Sequence, residues 1–154
     1  MNILVTNNTN YPNYEAKLKP LSKFSKVDKI CMVTKIKDST LDKLEIYKLP
    51  DFLSHDNIIS KMLNFIITPV YMVYLIKKEK IGLILSYHII PHAIFAYMAS
   101  KVTSVPFNVS QIGILVEKYM KTKYVGKILI NILSESKFIN VPGKHSKDFL
   151  SARG

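Results

Sequence analysis

Between a lysine and a histidine, the chain runs Ile81-Gly82-Leu83-Ile84-Leu85-Ser86-Tyr87. The run is too short for an ordinary helix, and no charge interrupts it. It therefore predicts a strand buried on both faces at the centre of a parallel sheet. Upstream, residues 54–79 have the length and apolar content of a helix. Ser54 is placed as its N-cap, Asn57 stands at the third helical position, and a bend is expected at Pro69. Before that helix lie two strand-like runs, 28–34 and 44–49, the second ended by Pro50. A lysine-rich helix over 15–25, weakened by Pro20, follows a first strand at 2–6. Downstream, Pro91 suits the first turn of a helix over 93–101. Then come a strand at 106–110, a long helix over 115–136, a short strand at 138–141 and a last helix over 146–152. Gly154 stands where a C-cap glycine would.

The repeated strand-loop-helix order predicts an α/β fold. Specifically, it predicts a Rossmann-like three-layer sandwich, with a mostly parallel sheet and helices on both faces, formed by residues 1–154 as a single domain. The totals agree. A chain of 154 residues is one ordinary domain, 48% hydrophobic content supplies a core, and 21% charged residues argue against disorder. The net charge is +11, and all 22 basic residues except Arg153 are lysine. Lysines are point charges with little geometric selectivity, suited to phosphates, anionic lipid or simple solubility. The scarcity of arginine, and the lack of a helix-turn-helix or RNA-binding motif, mean that no nucleic acid is expected as a partner. Cys31 is alone, so no internal disulfide forms, which fits a reducing, cytoplasmic location. The apolar run 62–76 contains Asn64, Thr68 and Pro69 and falls short of the ~20 residues that span a bilayer, so a buried or interfacial helix is expected.

In parallel α/β sheets, ligands bind beyond the carboxyl ends of the strands. Four loops are therefore candidates. Asn7-Asn8-Thr9-Asn10-Tyr11-Pro12 offers Asn7 and Asn8 to a polar ligand such as a sugar. Asparagine also suits turns for conformational reasons, and the Gly-x-Gly-x-x-Gly dinucleotide fingerprint is missing. Tyr87-His88-Ile89-Ile90-Pro91-His92 offers His88 and His92 as hydrogen-bonding groups toward hydroxyls or phosphate. No Cys, Asp or Glu lies nearby to complete a metal set. Ser110-Gln111-Ile112-Gly113 supplies Gln111, and Gly113 would allow close ligand approach. Val141-Pro142-Gly143-Lys144-His145-Ser146 supplies Gly143, Lys144 and an N-capping Ser146 at a helix start, where free amides attract anions. No catalytic residue, metal or cofactor is assigned.

Residues 75–154 resemble the acceptor-side, N-terminal domain of GT-B retaining glycosyltransferases, the family 4-like group. The resemblance lies in the basic helix end Leu75-Ile76-Lys77-Lys78-Glu79-Lys80, followed by the buried strand and His88. It continues in Pro106-Phe107-Asn108-Val109-Ser110-Gln111-Ile112-Gly113, and in Phe138-Ile139-Asn140-Val141 with the Gly143-Lys144-His145-Ser146 helix start. Three positions depart from the family pattern. The first loop lacks the usual glycine pair, Gly82 stands where an acidic residue is common, and Ile112 occupies a position often held by histidine or arginine. The resemblance implies one half of a GT-B fold and a glycosyltransferase acting in polysaccharide biosynthesis. Such an enzyme moves a sugar from a nucleotide-sugar donor to a glycan or lipid-linked acceptor. The donor would be held by a second domain or subunit that this chain does not supply, so the chain alone is expected to be inactive. Peripheral contact with anionic lipid at the inner face of the cell membrane would suit such an acceptor. The competing reading is a non-catalytic basic module that binds phosphate, a membrane surface or nucleic acid.

Overall fold

The computed structural model describes residues 1–7, 14–34, 41–50, 53, 57–110 and 115–152. Six strands form one sheet in the order β3-β2-β1-β4-β5-β6, and every pairing is parallel. They are β1 (Asn2–Thr6), β2 (Lys29–Thr34), β3 (Leu44–Lys48), β4 (Ile81–Tyr87), β5 (Phe107–Ser110) and β6 (Ile139–Asn140). The helices are α1 (Tyr14–Ser22), α2 (Ile58–Lys78), α3 (Ile94–Thr103), α4 (Leu115–Met120), α5 (Lys123–Ser134) and α6 (Lys144–Ser151). The expected Rossmann-like sandwich is therefore present, and β1 and β4 are its middle strands.

Strand alternation divides the core in two. Leu4, Cys31, Val33, Ile84, Phe107 and Val109 face α2, α3 and α5, meeting Met72, Leu75, Ala96, Leu129 and Ile132. On the opposite face Ile3, Val5, Ile30 and Met32 pack with Leu18 of α1. Burial lifts the Cys31 thiol pKa to about 11, so it behaves as a small core hydrophobe. At the amino ends of the strands, Lys29 Nζ lies 2.7 Å from Glu45 and 2.6 Å from Glu79. Tyr47 donates to Glu45 at 2.5 Å. These bonds hold both carboxyls below the usual range and tie the end of α2 to β2 and β3.

Several sequence expectations are corrected. β4 is not buried on both faces. Ile84 and Ser86 are buried toward α2 and α3, whereas Leu83, Leu85 and Tyr87 are only half-covered on the side that packs with Leu18 of α1. The single helix expected over 115–136 is two helices. Thr122 takes an extended backbone (ψ 137°) between them, and Gly126 sits so close to Met120 that an added Cβ would lie 2.4 Å from its carbonyl oxygen. Pro91 does not open α3. It lies in a wide turn over Ile89–Ala93 after a cis Ile90–Pro91 bond, and α3 begins at Ile94. Ser54 and Gly154 lie outside the described residues. Asn57 caps α2, its side-chain oxygen accepting from the Ser60 amide at 2.7 Å. Pro69 lies inside α2, which runs 21 residues, longer than the apolar run that the sequence marks out. Ser146 does not cap α6, because the helix starts earlier and Gly143 holds the cap position.

Candidate functional site

Beyond the carboxyl ends of β1 and β2 lies a cavity of about 170 Å³. Thr6 and Asn7 line it from β1, and Val33 and Thr34 from β2. Asn64 and Thr68 come from the inner face of α2, and Pro91, His92 and Phe95 from the turn into α3. The order of the sheet explains the location. Chain leaves β1 toward one side and β4 toward the other, which opens a crevice at the switch point between them.

Six of the ten lining residues are polar, and none carries a formal charge. The Thr6 hydroxyl and His92 Nδ1 are 2.8 Å apart, joining β1 to the turn after β4. Thr68 donates through its hydroxyl to Asn64 Oδ1 one turn away. That leaves the Asn64 amide nitrogen and His92 Nε2 for a ligand. Burial, reinforced by His88 nearby, pulls the His92 pKa down to about 4, so the ring is neutral at physiological pH. Phe95 braces it edge-on, ring centroids 6.1 Å apart, and is itself braced by Phe65 at 5.1 Å. The chain reaches this arrangement through His88, whose φ of 72° turns the strand end out of the sheet. The turn is pinned by two bonds at 3.0 Å, from the His88 amide to the Ser110 carbonyl and from the Ser86 hydroxyl to the His88 carbonyl. A non-glycine residue in that region stores backbone strain of the kind that gathers at functional sites.

Of the sequence candidates, the structure brings Asn7 and His92 into the cavity. His88 stands beside it and leans toward α1: burial first, and then the Lys17 charge, lower its pKa. Gly143, Lys144 and Ser146 lie past the end of β6. That is three strands from β1, roughly 14 Å at ordinary strand spacing. Gly143 has nothing within 4 Å of where a Cβ would be, so no close approach requires it. Asn8, Gln111 and Gly113 lie outside the described residues. Sequence reasoning missed Thr6, Thr34, Asn64 and Thr68. The available signal was Asn64 and Thr68, two polar residues four apart in the apolar middle of the helix. Among the described residues, no group of three or more His, Cys, Asp or Glu is placed to hold a metal.

Two larger hollows among the described residues lie away from the carboxyl ends of β1 and β2. One, of about 430 Å³, is lined mainly by apolar residues of α5 and β6. The other, of about 630 Å³, opens between Lys19, Lys23 and Lys43, near the amino ends of the strands.

The parallel sheet and its flanking helices make a Rossmann-like α/β domain of GT-B-like fold. The structure is similar to that of UDP-GlcNAc 2-epimerase from Methanocaldococcus jannaschii, with a TM-score of 0.64 at 10% identity. The match takes in 99% of this chain and 42% of the epimerase, so the chain spans about two-fifths of that protein's length. At that identity the likeness is one of fold. No protein-family model matches the sequence, and no curated protein matches it either.

Proposed function

We propose that the chain is the acceptor-side half of a glycosyltransferase, of the family 4-like N-terminal type that residues 75–154 resemble. The observation that carries this reading is the cavity at the strand ends. Its polar groups are hydroxyls, amides and a neutral imidazole, which pair with the hydroxyls of a sugar ring. Its size supports an acceptor over a donor. At about 170 Å³ it is below the ~300 Å³ at which drug-sized sites begin. One ring fits that volume better than a nucleotide sugar, whose diphosphate would also want cationic partners. A second domain or subunit would bring the nucleotide sugar across the crevice, and catalysis would come from aligning the two substrates. In this scheme Thr6, Asn64 and His92 orient the acceptor.

Amide chemical-shift mapping of the isotope-labelled chain tests the reading. Neutral mono- and disaccharides, a nucleotide sugar and inorganic phosphate are titrated separately. Neutral sugars are expected to shift Thr6, Asn64 and His92. Tighter binding of the nucleotide sugar in this cavity, or no response to any neutral sugar, would overturn the acceptor assignment.

A further inference from the structure

One side of helix α2 packs into the cavity and the core, and its opposite side is apolar and left exposed among the described residues. Asn64, Thr68, Met72 and Ile76, spaced four apart, face the cavity and the core. On the other side Ile59, Leu63, Ile66, Val70 and Tyr74 follow one another at helical spacing and are all exposed, Ile66 at 64% and Val70 at 63%. Ile58 and Met62 widen the stripe in the first turns. From Ile59 to Tyr74 it runs about 22 Å. An apolar surface of that length on a soluble domain marks an interaction site.

The charges beside the stripe select its occupant. α2 carries Lys61, Lys77 and Lys78 and no acidic residue; the Glu79 carboxyl at its C-cap is turned inward onto Lys29, and Lys80 follows it. The neighbouring α3 also has no acidic residue and exposes Met98 and Val102. A second copy would set the same lysines, and the same net +11, against one another across a two-fold axis. An anionic lipid surface complements both features, taking the side chains into its headgroup boundary and pairing with the lysines. By length and apolar content α2 could cross a bilayer, but its inner side is committed to the sheet, so it must lie along the surface.

We infer that the outer face of α2 is a peripheral membrane anchor that docks on anionic bilayers. The inference stands apart from the sugar reading, because vesicle binding involves no sugar. The test is co-flotation of the full chain with phosphatidylcholine vesicles, with and without phosphatidylglycerol. Binding to the anionic vesicles, reversed by salt, is expected. An Ile66→Asp/Val70→Asp variant should lose it with its circular dichroism unchanged, and Lys77→Gln/Lys78→Gln should weaken it roughly thirtyfold. Should the double aspartate variant unfold, Tyr74→Ser gives the milder version of the same readout. Failure to float with anionic vesicles would overturn the inference. So would a wild-type dimer that the stripe variants convert to monomer, since a second copy would then be the occupant.

Discussion

The Thr6 hydroxyl meets the His92 ring at 2.8 Å across 86 residues of chain, and this bond joins the end of β1 to the turn that follows β4. It closes the crevice between the two middle strands at its base. Thr6→Val keeps the side-chain shape and removes the hydroxyl, leaving His92 Nδ1 without its partner. The expected cost is about 1–2 kcal/mol in urea unfolding, with Thr6→Ser close to wild type. Equal stability of the Val and Thr forms would mean that the bond contributes nothing.

Acid should loosen the same region. An unperturbed histidine titrates near 6.5, whereas folded His92 is held at about 4 by burial, with His88 adding to the effect. Between those values the unfolded chain binds the extra proton. The stability supplied by neutral His92 is thus complete above about pH 6.5 and is lost as the pH falls toward 4. The loss is on the order of 3 kcal/mol. His88, also lowered, adds a slope of the same sign. The depressed Glu45 and Glu79 contribute stability that is present above the ordinary carboxylate range and disappears at still lower pH. Urea midpoints measured from pH 7 to 4.5 should fall in the wild type and fall less in His92→Gln.

Two glycines should respond oppositely. Gly126→Ala drives a methyl group into the Met120 carbonyl at the α4–α5 junction, and about 1–3 kcal/mol should be lost. At Gly143 the backbone is extended and the surrounding space is open, so Gly143→Asp should be tolerated and should gain a few tenths of a kcal/mol by capping α6. Thermal melts of the two variants side by side would separate them. Comparable losses would show that the junction is not tightly packed.

Asn57→Ala removes the side chain that holds the first turn of α2 and should cost about 1 kcal/mol. Amide exchange would locate the effect. Faster exchange confined to the first turns of α2 is the expected pattern, whereas uniform acceleration would point to global destabilisation instead.

The sheet was legible because its strands are short apolar runs between turn residues, and β1, β2 and β4 fall where those runs lie. Helix ends were harder to read. Nothing in the sequence around Thr122 breaks the apolar periodicity of residues 115–136. At the break Gly126 packs closely on the Met120 carbonyl, an approach that the apolar pattern does not reveal. Ser146 looked like a cap because serine favours that position, yet α6 starts at Lys144. The cavity was half visible. Asn7 and His92 lie in loops that the strand-end rule picks out, while Thr34, Asn64 and Thr68 belong to elements brought to the same place only by the sheet order.

The two ends of the sheet bear on how this domain can join anything else. At one edge β3 carries exposed Glu45 and Lys48, and at the other β6 offers two residues. A charged strand and a stub are poor templates for strand addition. The sheet therefore cannot readily grow sideways into a neighbour. A partner would meet this domain over the strand-end loops or against a helix face, and could then dock and part without unpicking a hydrogen-bonded seam.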